Sequence, residues 1–111
     1  MHSDRILVVA PDDDLRRSLT FALAAYGYAV TAQQAWPGHA AADAFDCIVL
    51  DERALPNASP PSPVRRPVLL LAYSADALAN DSVTGVIAMP LKGEAVMQAV
   101  EAALAASRPT K

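Results

Sequence analysis

Ile6-Leu7-Val8-Val9-Ala10-Pro11-Asp12-Asp13-Asp14-Leu15 decides the fold. Its four opening apolar residues do not alternate with polar ones, the pattern of a strand buried on both faces, as strands of parallel sheets are. The three carboxylates precede Leu15, Ser18, Leu19, Ala22 and Leu23 at helical spacing. They stand where the positive end of a helix dipole favours negative charge, and Gly27 supplies the stop. A buried strand running into an acidic helix start is one β-α unit.

Working outward, the unit repeats. Tyr28-Ala29-Val30-Thr31 reads as a second strand, Gly38 to Phe45 as a short Ala-rich helix, and Cys47-Ile48-Val49-Leu50 as a third strand, fully buried. Leu55 to Pro67 then holds five of the nine prolines, and its Pro60-Pro61-Ser62-Pro63 core cannot sustain a helix. Val68-Leu69-Leu70-Leu71 resumes as a fourth strand, Ser74 to Asn80 allows a turn or two of helix, and Val86-Ile87-Ala88 is a fifth strand. A last helix from about Gly93 to Ala106 turns Val96, Val100 and Leu104 inward and Glu94, Gln98 and Glu101 to water. Five parallel strands with helical crossovers predict a flavodoxin-like, doubly wound α/β sheet. Its functional crevice lies at the carboxyl ends of the strands, just after Val9, Leu50, Leu71 and Ala88.

The 111 residues suffice for one domain, with an ordered core over about 5–106 and 107–111 as a tail or the start of a linker. An output domain beyond Lys111 is compatible with that tail. Hydrophobic residues make up 53% of the chain, which supports a core, but many are alanines and burial must come from the Leu/Val/Ile runs. The longest apolar run, Val68 to Tyr73, is far short of the roughly 20 residues of a membrane helix. Met1-His2-Ser3-Asp4-Arg5 leads straight into the first strand with no secretory pattern, so a cytoplasmic location is expected. Cys47 has no disulfide partner and reads as a buried, inert thiol. His2 and His39 lack companions at metal-ligand spacing. A net charge of −3 argues against nucleic acid or anionic lipid and for protein or small-molecule partners. The four glycines form no phosphate-cradling loop, which argues against a nucleotide enzyme.

Five segments carry a resemblance: Ile6–Val9 with Asp14-Leu15-Arg16-Arg17, Tyr26-Gly27-Tyr28-Ala29-Val30, Phe45-Asp46-Cys47-Ile48-Val49-Leu50-Asp51, Pro67–Leu71, and Gly85-Val86-Ile87-Ala88-Met89-Pro90. In that order, over nearly the whole chain, they resemble response-regulator receiver domains of two-component signalling, with the (βα)5 receiver fold. The resemblance implies an aspartate at the end of the third strand that accepts a phosphoryl group from a histidine kinase or small donor, and Asp51 holds that position. It further implies a Mg²⁺ held by an acidic pair after the first strand, a hydroxyl after the fourth and a lysine after the fifth. Metal and lysine neutralise the transferring phosphoryl oxygens, and the hydroxyl fixes the phosphorylated state.

The sequence departs from that pattern almost everywhere. Ala10 and Pro11 stand at the acidic pair, Ala72 at the hydroxyl, Met89 at the lysine before Pro90, and Val86 at the aromatic that reports activation. Losing one charge-stabilising donor typically costs about a hundredfold to a thousandfold in rate, so a degenerate, pseudo-receiver variant is expected. The peptide bond before Pro90 is expected to be cis, as the resemblance implies. The stretch from Asp51 to Ala72 is about one helix short of the family spacing, so the third helix is expected to be lost or replaced by the Pro-rich loop and the fourth shortened. Two acidic alternatives stay open. Asp12, or Asp12 with Asp13 if the first loop is longer, supplies a residual Mg²⁺ site with Asp51. Alternatively Glu52 points into the site and mimics a phosphoryl charge, the following proline falling one residue late at Pro56.

Phe21 falls on the polar side of the first helix, and Ala102, Ala105 and Ala106 give the last helix a smooth outer face. These are the candidate partner surface, for a histidine kinase, a phosphotransfer or output protein, or a second copy. Pro60-Pro61-Ser62-Pro63 with Arg65-Arg66 reads as a stiff linker or as a polyproline ligand. The leading reading is a non-enzymatic module, without cofactor, that regulates by protein contact and not by phosphorylation. Two others stand beside it: a receiver still phosphorylated on Asp51 with an altered metal site, and a non-signalling enzyme or nucleotide-binding protein sharing only the fold.

Overall fold

The structure, a computed structural model, describes residues 4–36, 44–54, 67–72, 85–88 and 95–107. They form five strands, β1 (Arg5–Val9), β2 (Ala29–Gln33), β3 (Cys47–Asp51), β4 (Val68–Ala72) and β5 (Gly85–Ala88), and two α-helices, α1 (Asp13–Ala25) and α2 (Ala95–Ser107). A 3₁₀ turn over Glu52–Ala54 follows β3. All pairings are parallel, in the order β2-β1-β3-β4-β5. This is the flavodoxin-like doubly wound order, with the change of winding direction beside β1 and β3.

The non-alternating strands are buried on both faces, as their composition requires. Ile6, Val8, Cys47, Val49, Leu69 and Leu71 pack on one face against Leu19 and Leu23 of α1 and Val96, Val100 and Leu104 of α2. Leu7, Val9, Ile48, Leu50, Val68 and Leu70 form the other face, with Trp36, Phe45, Ala54 and Val86 packed against them. The expected inward trio of α2 is buried, and Met97 and Ala103 join it, while Gln98 and Glu101 are exposed. Among the described residues no helix is long and apolar enough to cross a membrane.

Helix α1 starts and stops where its sequence signals lie. The Asp12 carboxylate accepts the Leu15 amide at 2.9 Å, and Asp13 and Asp14 occupy the first turn. At the other end the Tyr26 and Gly27 amides donate to the Leu23 and Ala24 carbonyls at 3.1 and 2.9 Å, and Gly27 turns the chain with φ of 99°.

Three expectations need correction. β2 begins at Ala29 and runs on to Gln33, because pairing with β1 from Arg5↔Ala29 to Val9↔Gln33 sets its ends and its own weak apolar pattern does not. Ser18 faces solvent although it shares the helical spacing of the core positions. Ala44 lies in a turn and Phe45 in a bend, so the second helix expected to reach Phe45 does not extend there. The rest of that helix, the Pro-rich loop with the lost third helix, the shortened fourth helix, Met89, Pro90 and its peptide bond, His2, His39 and the tail beyond 107 lie outside the described residues.

Cys47 is buried in the first core face, and burial pushes its thiol from 9.0 up to about 12. The Asp46 and Asp4 charges push the same way, against a hydrogen bond from the Ile48 backbone. The unfolded thiol ionises first, so stability is intact below pH 9 and falls as pH rises toward 12. Comparing the wild type with Cys47→Ala by urea denaturation should show this loss, on the order of 1 kcal/mol per pH unit in that window, only in the wild type. Iodoacetamide should label Cys47 in urea and not in buffer at neutral pH. Gly27→Ala should cost about 1 kcal/mol by the same denaturation, through backbone strain alone, since nothing lies within 4 Å of the added Cβ.

Candidate functional site

The parallel register gathers three strand ends at one edge of the sheet. Val9 pairs with Leu50, Asp51 with Leu71, and Ala72 with Ala88, so Ala10, Asp51 and Ala72 follow one another across adjacent strands. All three are buried, and Asp51 is the one buried charged residue among those described.

The loop after β1 is tied down locally. The Ala10 amide donates to the Gln33 carbonyl at 3.0 Å, and the Ala10 carbonyl accepts from Arg16 Nη1 at 2.9 Å. The other arm of the same guanidinium pairs with Asp13. Pro11 is exposed at a bend, and Asp12 caps the helix. Asp12 and Asp13 therefore do helix-start work, one as acceptor for a backbone amide and one as partner to Arg16.

Asp51 is held differently. Its side chain has no exposed surface, and the chain doubles back at once through the 3₁₀ turn. That turn brings the Arg53 amide to 2.8 Å from Oδ1, while Arg53 Nε donates to Oδ1 at 3.2 Å and Nη2 to Oδ2 at 2.9 Å. Both carboxylate oxygens thus accept from one guanidinium in a fork, the geometry that makes Arg–carboxylate pairs strong. Burying a carboxylate is tolerable only with such compensation, and no buried side-chain oxygen or nitrogen among the described residues lacks a partner.

Among the described residues, the side chains at this edge do not gather as a divalent-cation site. The strand end beside Asp51 carries the Ala10 methyl and the Pro11 ring, neither a ligand, and the Asp51 oxygens already accept from Arg53. Among the described residues no three His, Cys, Asp or Glu side chains gather to hold a metal. Ala72 offers no hydroxyl at the end of β4. Glu52 opens the 3₁₀ turn half-buried, and Val86 is half-buried against the second core face. Phe21 is 78% exposed on α1, and Ala102 and Ala105 are exposed on α2.

Sequence reading missed Arg53 and Arg16. The signal for Arg53 was present, an arginine two residues after a carboxylate that ends a buried strand, but only the 3₁₀ turn brings the two side chains together. Arg16 entered the sequence reading only within the Asp14–Arg17 segment of the resemblance, and in the structure it holds the preceding loop.

Comparison with solved structures finds this fold in response regulators. The chain is similar to full-length FixJ from B. japonicum, with a TM-score of 0.76 and 21% identity over 98% of this chain. It spans only 61% of that protein. The non-phosphorylated HemR receiver domain from Leptospira biflexa gives a TM-score of 0.71 at 21% identity, covering 98% of this chain and 100% of that one. A response regulator receiver modulated diguanylate cyclase from Pelobacter carbinolicus gives 0.72 at 16% identity, covering 94% of each chain. No protein-family model matches the chain, and no curated protein matches its sequence. At these identities the likeness is one of fold, and the fold is the flavodoxin-like receiver fold.

Arg53→Ala should cost about 1–3 kcal/mol at neutral pH by urea denaturation, because it leaves a buried carboxylate short of its counter-charge. In an Asp51→Asn background the same change should cost clearly less, and the double-mutant cycle reads the coupling directly.

Proposed function

We propose that this chain is a receiver-like module of cytoplasmic two-component signalling that acts by contact with other proteins and not through a phosphorylation switch. It is neither an enzyme nor a cofactor carrier. One observation carries the reading: the carboxylate at the phosphoacceptor position, Asp51, is buried and forked by Arg53. The neighbouring strand ends present Ala10, Pro11 and Ala72 where phosphotransfer calls for acids and a hydroxyl. Phosphoryl transfer depends on positive charge and donors aimed at the transferring oxygens, and the counter-charge here is committed to the ground-state carboxylate.

The sheet meanwhile keeps its strand order and both core faces, so the module retains the rigid frame that presents helices to partners. Phe21 on α1 and the exposed Ala102 and Ala105 of α2 are the surfaces it offers to a kinase, a phosphotransfer protein, an output protein or a second copy. An aromatic ring 78% exposed contributes little to folding, and a binding role accounts for it better.

Amide NMR of the full chain during addition of Mg²⁺ and then beryllofluoride, a phosphoryl mimic, tests the reading. Spectra that stay unchanged to millimolar Mg²⁺ are expected. Saturable shifts around Asp51 and Ala72 that vanish in Asp51→Asn would establish a working phosphoacceptor and overturn the proposal.

A further inference from the structure

The geometry points to the outer edge of β2, with the groove between it and α1, as a docking site for an extended acidic segment of a partner protein that adds to the sheet as a further strand. The inference deepens the reading above and rests on it, since it takes Phe21 as part of a contact surface and names what that surface holds.

The edge is open in its backbone. β2 is the outermost strand, and among the described residues it pairs with β1 alone. The Ala29 amide donates to the Asp4 carbonyl at 2.9 Å, and the Gln33 carbonyl accepts from the Ala10 amide at 3.0 Å. The odd-numbered residues of β2 thus turn their backbone groups toward β1. Successive residues of a strand alternate in this respect, which directs the N–H and C=O of Val30 and Ala32 to the outer edge. Edge strands are commonly guarded against a further strand by lysine, proline or a bulge. Ala29-Val30-Thr31-Ala32-Gln33 has no charge and no proline, and its register with β1 is unbroken.

The groove receives side chains. Val30 packs on the core face that α1 covers, and Ala32, two residues on, shares that face. Its methyl leaves an open space of about 470 Å³ between the strand and Arg17, Thr20, Phe21 and Ala24 of the helix. An added strand sends every second side chain to this face, where an apolar residue meets the exposed Phe21 ring and Ala24. Charge selects the occupant. Arg16 is engaged by the Ala10 carbonyl and Asp13, whereas Arg17 is exposed and makes no hydrogen bond or ion pair among the described residues. A carboxylate on the incoming segment answers that charge. The β2 strand of a second copy brings none, because it holds no acid.

Selection of random short peptides displayed on phage against the full chain, followed by titration of the most enriched peptide into the ¹⁵N-labelled full chain, tests the site. Enrichment should favour peptides that alternate β-branched or aromatic residues with polar ones and carry an Asp or Glu. Amides of residues 30–32 and of Arg17, Phe21 and Ala24 should shift, and exchange of the Val30 and Ala32 amides should slow on binding, as a new ladder requires. Phe21→Ala should weaken the peptide about tenfold or more. Arg17→Ala should weaken it about two- to fivefold, and less in high salt. Ala32→Pro removes an outward N–H and should abolish binding. Where that variant fails to fold, Ala32→Leu fills the groove and should abolish binding as well.

No enrichment beyond that obtained with the Ala32→Leu chain would overturn the inference. So would enriched peptides that bind as helices or carry Lys or Arg in place of the acid, or that bind Phe21→Ala and Arg17→Ala as tightly as the wild type. Val30 and Ala32 amides already protected in the free chain would overturn it too, and protection that grows with protein concentration would assign the edge to a second copy. The two proposals fail separately. Beryllofluoride binding by the wild type overturns the phosphorylation-independent reading and leaves the peptide site standing. Peptides that shift residues of α2 and not of β2 overturn the strand site and leave that reading intact.

Discussion

Burial of β1, β3 and β4 on both faces is the constraint from which the rest of the structure follows. Their apolar runs have no face to offer water, so both sides of the sheet must be covered. Helices α1 and α2 cover one side, and Trp36, Phe45, Ala54 and Val86 contribute to the other. Parallel pairing then forces each strand to re-enter from the same end, which collects the residues after β1, β3 and β4 along one edge. Asp51 is buried because it is the last residue of such a strand.

That position creates an electrostatic demand. A carboxylate taken out of water must find a counter-charge and hydrogen-bond donors, and the nearest chain able to supply both is the turn that follows it. Arg53 meets the demand with a local fork. Where the neighbouring strand end carries Ala10, no second acid adds to the charge to be balanced. The same economy appears after β1, where Arg16 braces the Ala10 carbonyl and pairs with Asp13. The two described loops that follow β1 and β3 are thus each held by a nearby arginine, and the acidic residues Asp13 and Asp51 are engaged close to home.

Much of this was legible before any fold was seen. Non-alternating runs such as Ile6–Val9 and Cys47–Leu50 announced two-faced strands, and the acidic start at Asp12-Asp13-Asp14 and the Gly27 stop bounded α1 to within a residue or two. Val96, Val100 and Leu104 marked the buried stripe of α2, and Phe21 stood out as an aromatic on a polar face. Less legible was β2, whose Ala29–Gln33 composition carries no strong period and whose limits come from its partner. Ser18 shared the spacing of core residues yet stayed outside, because a period defines a face and not how far packing extends around it.

The sequence by itself determined the alternating α/β class, the buried strands, the limits of α1 and the identity of the side chains at the strand ends, Ala10, Pro11, Asp51 and Ala72. These are local properties, written in periodicity, capping residues and composition over a few turns of chain. Only the tertiary structure decided which of those side chains engage one another. Asp12, Asp13 and Asp51 looked alike as carboxylates, but the helix start took the first two into local contacts. The sheet interior took the third, and the 3₁₀ turn gave it Arg53. A carboxylate's role depends on its burial and on the charge it meets, and both are set by how strands and turns come together in space.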